Sequence, residues 1–166
     1  MKYRYAICMF MAAFVIQTTL MNIVGVFGVT PNLLLCLVVI FSFLFDENNY
    51  GLVLGVVFGL LYDICFSEYT GIAALAFFVI SLSIMLVNII MNKEAVISVI
   101  IVSSAATVLY TLMYWSLMAM LGSSYSFTYM IKNLPFYILY NTAVVIILYY
   151  SMIKKVIRYH YDRYFK

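Results

Sequence analysis

Between Tyr5 and Phe45 the chain carries no charged side chain, and further uncharged runs extend from Asn48 to Tyr62, Tyr69 to Asn92, Ala95 to Ile131 and Asn133 to Ile153. Runs of this length match the demand of a bilayer crossing, about 20 apolar residues per helix. Composition agrees: 67% of the 166 residues are hydrophobic and only 9% charged, with a mean hydropathy of +1.12. These values lie outside the soluble globular range. The expected fold is therefore an all-α integral membrane protein, a single polytopic domain over residues 1–166. The hydrophilic pieces are too short to build a second domain. The net charge of +3 then reports orientation in a membrane and not affinity for nucleic acid, and no nucleic-acid partner is expected.

The first run is too long for one helix and contains its own break, GVFGVTPN, where Thr30 can cap a new helix and Pro31 suits its first position. Polar turns then divide the chain into six expected spans: approximately 5–27, 32–45, 51–66, 71–91, 95–121 and 134–153. The loop GSSYSFTYMIKN leads into Pro135 and the last of them. The second and third spans are short for a bilayer, so they must stand near the membrane normal, thin it locally, or be covered by neighbours. The N-terminal apolar stretch lacks a small-residue cleavage site and reads as the first retained span.

Six crossings put both termini on one side. Lys2, Arg4, Lys93, Lys154, Lys155, Arg158, Arg163 and Lys166 fall there, with Lys132 opposite. By the positive-inside rule that side is the cytoplasm. The tail 154–166 interleaves Lys154, Lys155, Arg158 and Arg163 with aromatic residues, the pattern of a segment lying on an anionic leaflet.

Within the third span, Gly51, Gly55 and Gly59 recur every fourth position and Asp63 continues the stripe. Positions four apart advance only about 40 degrees around a helix, so the glycines form a slowly winding groove. In lipid, such grooves associate helices through close backbone contact. The groove can serve the chain's own packing or an external partner. Asp63 is either a functional carboxylate of the bundle interior or a helix-end acceptor bonded to tyrosines or to backbone N–H groups of the following turn. Gln17, Asn22, Asn88, Thr107, Tyr110, Thr111, Tyr114, Tyr140 and Asn141 are expected interhelical hydrogen-bonders. Asn141 stands out, because a mid-span amide needs partners for both its ends. Cys8, Cys36 and Cys65 are scattered without ligand spacing and His160 is alone. No nucleophile–base pair, metal cluster or phosphate loop is present, so no enzyme, cofactor or metal is expected.

Taken together, TPNLLLCLVVIFSFLF, the acidic turn after it, YGLVLGVVFGLLYDICFSEYTG and LPFYILYNTAVVIILYY resemble the MreD family of bacterial rod-shape-determining proteins. In that family a Pro-initiated second span precedes a glycine-rich third span ending in Asp, a Gly opens the fourth, and a Pro and an Asn mark the last. Here these are Pro31, Gly51, Gly55, Gly59, Asp63, Gly71, Pro135 and Asn141. The resemblance implies a non-enzymatic membrane scaffold of the cell-elongation machinery that makes lateral peptidoglycan. Its implied partners are the bitopic protein MreC, MreB filaments, and the cell-wall glycosyltransferase and transpeptidase. It also implies a fold similar to the six-helix substrate-binding subunits of energy-coupling-factor transporters, so the alternative is a membrane subunit binding a small, vitamin-type molecule for transport. No embedded basic residue and no cluster of hydrogen-bonders is legible in the sequence, which favours the scaffold. On that reading the glycine stripe, Asp63, Gly71, Pro31 and Asn141 are partner-binding or helix-packing positions, and enlarging Gly55 or Gly59 to Leu overfills the groove.

Overall fold

A computed structural model describes residues 3–19, 29–45, 49–122 and 126–164, with side chains to Ile153. The described residues form six helices: α1 (Tyr3–Thr19), α2 (Leu33–Leu44), α3 (Tyr50–Phe66), α4 (Ile72–Val87), α5 (Val96–Met120) and α6 (Phe127–Tyr164). The apolar windows of α5 and α6 are long enough to cross a membrane, and only 33% and 22% of them is buried. Helices that apolar and that exposed are not the core of a water-soluble protein. Helices α2, α3 and α4 are shorter and also apolar.

The architecture is organised around α2. At 12 residues it is roughly 18 Å long, well short of a hydrocarbon core of about 30 Å. It is hydrophobic on every face, every residue from Leu34 to Leu44 is buried, and it touches all five other helices. A helix apolar all round has to be enclosed, and here protein encloses it. The surrounding helices pair in the order α1–α3, α3–α4, α4–α5 and α5–α6.

Successive helices alternate in direction, as the contacts between their ends establish. Tyr3 at the start of α1 meets Tyr50 at the start of α3 with ring centroids 5.2 Å apart, and Phe14 meets Phe66 near their far ends at 6.2 Å. The start of α2 lies against the end of α1 through Gln17, and its end lies against the end of α4 through Asn88. The hydroxyl of Tyr149 on α6 donates to the carbonyls of Lys93 and Glu94, just before α5, at 3.2 and 2.8 Å. Phe10, Phe41 and Phe58 fill the space between α1, α2 and α3 with centroids 5.5 to 5.6 Å apart.

The glycine stripe of α3 faces inward onto the chain's own helices. A Cβ on Gly51 would collide with the Ser42 side chain and backbone of α2. One on Gly55 would stand 2.8 Å from Val38 Cγ2, and one on Gly59 would stand 2.8 and 2.9 Å from backbone atoms of Ala74 on α4. Gly59 is the most constrained of the last two, because backbone cannot rotate aside as the Val38 methyl can.

Three details depart from the sequence reading. Neither Thr30 nor Pro31 begins α2: Asn32 is its N-cap, with its Oδ1 accepting from the Leu35 N–H at 3.0 Å, and both preceding residues lie in the non-helical approach. An asparagine carbonyl reaches the third helical N–H, and Asn32 itself is extended, at φ −91° and ψ 94°, so the helix begins after it. The region read as a loop before Pro135 is helical from Phe127, and Pro135 sits inside α6. There Trp115 on α5 packs on Phe127 at 4.8 Å and Met130 is buried, so tertiary contact holds the extra turns despite the hydrogen bond proline removes. The regular part of the fourth helix ends at Val87, with Asn88 as its C-cap still in αR backbone and its carboxamide turned to α2, and a further turn follows in which the Ile90 and Met91 N–H groups donate to the Val87 carbonyl at 3.0 and 3.1 Å. The first break (residues 20–28), the acidic turn (46–48) and the side chains of Lys154, Lys155, Arg158 and Arg163 lie outside the described residues.

Substituting Gly59→Ala is expected to destabilise the protein by about 1–3 kcal/mol through overpacking, and Gly55→Ala by less. Thermal melting of the two purified variants in one detergent checks the order.

Candidate functional site

A buried helix leaves backbone donors at one end and acceptors at the other without intrahelical partners, and in hydrocarbon no water can supply them. The polar side chains of this bundle gather at those places. At the start of α2 the Leu33 N–H donates to Gln17 Oε1 of α1 at 2.7 Å, and the Asn32 N–H donates to Asn141 Oδ1 of α6 at 2.9 Å. At the other end, Asn88 Nδ2 donates to the carbonyls of Ser42 and Phe43 at 2.9 and 3.2 Å.

Asn141 is the node of the first cluster and is only 3% exposed. Besides accepting from Asn32, its Nδ2 donates to Thr107 Oγ1 of α5 at 3.3 Å, and the Cys36 thiol donates to its backbone carbonyl at 3.5 Å. Thr107 donates in turn to the Ser103 carbonyl at 2.9 Å, and the Ser103 hydroxyl donates to Thr142 at 3.4 Å. One amide thus ties α6 to α5 and to the entry of α2.

Asp63 performs the same service for α4. It is fully buried. Its Oδ2 accepts from the backbone N–H groups of Gly71, Ala73 and Ala74 at 3.0, 2.8 and 3.3 Å, and its Oδ1 accepts from the Ser67 hydroxyl at 3.3 Å. A carboxylate at a helix N-terminus satisfies the orphan donors and faces the positive end of the macrodipole. The turn that brings α4 to it needs Gly71 at φ +101°, a conformation costing other residues roughly 1–2 kcal/mol. Gly59 lets Ala74 approach closely enough for the same contacts.

Beside the Asn141 cluster lies a polar cavity of about 200 Å3, lined by Gln17, Thr30, Asn32, Tyr62, Tyr110, Thr111, Tyr114, Tyr137 and Asn141. Asn141 is buried at its floor and the other lining residues are partly exposed. An apolar groove of about 240 Å3 between α4 and α5 is lined by residues including Ile84, Val87, Ile101 and Leu109.

Of the positions singled out in the sequence, Gly51, Gly55, Gly59, Asp63 and Gly71 converge on the α2–α3–α4 seam. Asn141 stands apart at the α2–α5–α6 junction, next to Asn32. Pro31 bears no side-chain hydrogen bond and shapes the approach to the cap. The sequence reading found no cluster of hydrogen-bonders; the fold assembles one from α1, α2, α3, α5 and α6, because residues more than 100 positions apart meet at the start of α2. Asn32, Tyr62 and Tyr137 escaped notice as members of it. The signal for Asn32 was the Asn directly after Pro31, a strong N-cap type ahead of an apolar run; nothing local distinguishes the two tyrosines. Among the described residues no group of three or more His, Cys, Asp or Glu could hold a metal ion.

Removing the carboxylate in Asp63→Ala leaves three backbone donors at the start of α4 unsatisfied and is expected to cost about 2 kcal/mol or more. Asp63→Asn keeps one acceptor oxygen and should lose less than half of that, which denaturation of both variants in detergent would resolve. Asn141→Leu, of similar volume, is expected to cost about 1–3 kcal/mol for the stranded Asn32 N–H; an unchanged melting temperature would contradict the role given to Asn141.

Compared with models of protein families, residues 1–158 match the rod shape-determining protein MreD. No curated protein and no solved structure matches the chain.

Proposed function

The chain belongs to the family of the rod shape-determining protein MreD, and from that premise we propose that it is a membrane scaffold of the cell-elongation machinery. Rod-shape determination comes with the family, which is one of structural shape-determining proteins and not of enzymes, and family and apolar helices together mark an inner-membrane protein. The finer reading is ours. The chain crosses the membrane six times with both termini in the cytoplasm, binds the membrane helix of MreC, and helps couple MreB filaments to the glycosyltransferase and transpeptidase of lateral wall synthesis. The tail residues Lys154, Lys155, Arg158 and Arg163 hold the last helix to the anionic inner leaflet.

The observation that carries this reading is the match along nearly the whole chain. The interior supports it, since the conspicuous polar residues, Asp63, Asn88 and Asn141, are engaged in closing the chain's own helix ends. What is left for a partner helix is an outward apolar ridge such as Val57, Leu60 and Ile64 on α3, each at least 41% exposed. The glycines then act on the complex indirectly, by setting the position of α3.

The test is co-purification in mild detergent. Full-length MreC is expected to be retained by this chain, and MreC lacking its membrane helix is expected to be lost. Equal retention of both would sink the proposal.

A further inference from the structure

The polar cavity beside Asn141 is not explained by the helix end it adjoins. The start of α2 is satisfied by Gln17, Asn32 and Asn141. Yet four tyrosines, Tyr62 from α3, Tyr110 and Tyr114 from α5 and Tyr137 from α6, converge with Thr111 on the remaining wall. Tyrosine is at home where a ring is buried and its hydroxyl meets something polar. Four of them from three helices line the space with aromatic faces and hydroxyls.

Size, polarity and access narrow what such a lining suits. At about 200 Å3 the space equals six or seven waters at about 30 Å3 each, more than a single bridging water occupies and less than a drug-sized site. No charged residue lines it, so an ion entering would find no opposite charge to offset its lost hydration. Amide and hydroxyl groups line the wall, and the Asn141 amide has one N–H beyond the one given to Thr107. Tyr110 is held by parallel stacking on Phe77 at 5.5 Å and on Tyr114 at 6.0 Å, which fixes one wall in place before anything binds. The partly exposed walls leave the space within reach from outside the bundle.

From these features we propose that the cavity is a binding site for a neutral ring bearing hydroxyl groups, the size of one sugar residue, either free or as the head of a glycolipid. The ring's apolar face lies on the tyrosines, while its polar edge bonds to Thr111 and the Asn141 amide. The proposal is independent of the scaffold reading: a resident scaffold can carry such a site, and co-purification with MreC does not bear on it.

The test uses the full chain in lipid nanodiscs free of sugar detergents, with equilibrium dialysis against labelled N-acetylglucosamine, its cationic relative glucosamine, and octyl glucoside. Saturable binding of a neutral ring, one per chain and at least tenfold tighter than glucosamine, is expected. Thr111→Phe, which fills the space, should weaken it at least tenfold. Tyr62→Phe, which removes only a hydroxyl, should weaken it severalfold and keeps the test valid if the first variant does not fold. Binding of both neutral probes assigns the free ring, and binding of octyl glucoside alone assigns the glycolipid head, in each case with the same sensitivity to substitution. Absence of saturable binding by either neutral probe, glucosamine binding as well as they do, or indifference to both substitutions would overturn the proposal and leave a water-filled space.

Discussion

Everything in this bundle follows from enclosing a helix shorter than the hydrocarbon core of a bilayer. Helix α2 is apolar on all sides, so it gains by being surrounded, but its ends bring unpaired N–H and C=O groups into a medium without water. The cost of a stranded group there is comparable to that of losing a whole core side chain. Gln17, Asn32 and Asn141 at one end, with Asn88 at the other, remove it. The interhelical bonds they make draw three other helices, α1, α6 and α4, to defined heights along α2. The polar residues thus fix register in a bundle whose apolar contacts alone would tolerate sliding.

The same logic is repeated at the α3–α4 turn. Asp63 lies far from any positive side chain in the sequence, yet its four acceptor contacts come from the chain that immediately follows. Because the donors are mainly backbone N–H groups, the arrangement depends on how the chain is bent and not on which side chains surround it. Gly71 supplies the bend and Gly59 the close approach. Glycine stripe and carboxylate are therefore two parts of one joint, and neither faces outward.

This joint bears on how a scaffold in a membrane is built. With no hydrophobic force between helices in lipid, partner recognition rests on shape, and shape is only as good as the rigidity behind it. A short enclosed helix with both ends tied, ringed by helices locked to it, gives the outer apolar ridges fixed positions. The tyrosine-walled cavity lies beside one of those tied ends.

Sequence alone determined the class of this protein, because uncharged runs of that length have no stable state in water, and it determined the helices, because hydrocarbon leaves the backbone little else to form. The spacing of Gly51, Gly55, Gly59 and Asp63 made a helical stripe legible, since four-residue steps are local geometry. Which way the stripe faces was not local. That α3 turns its glycines onto α2 and α4, and that Asn141 reaches Asn32, was decided by tertiary packing, which joins residues whose neighbours in sequence say nothing of each other. The start of α2 shows the same division: Pro31 and Asn32 announce a helix, but that Asn32 stays extended as its cap and gives its N–H to Asn141 across the bundle is seen only in the fold.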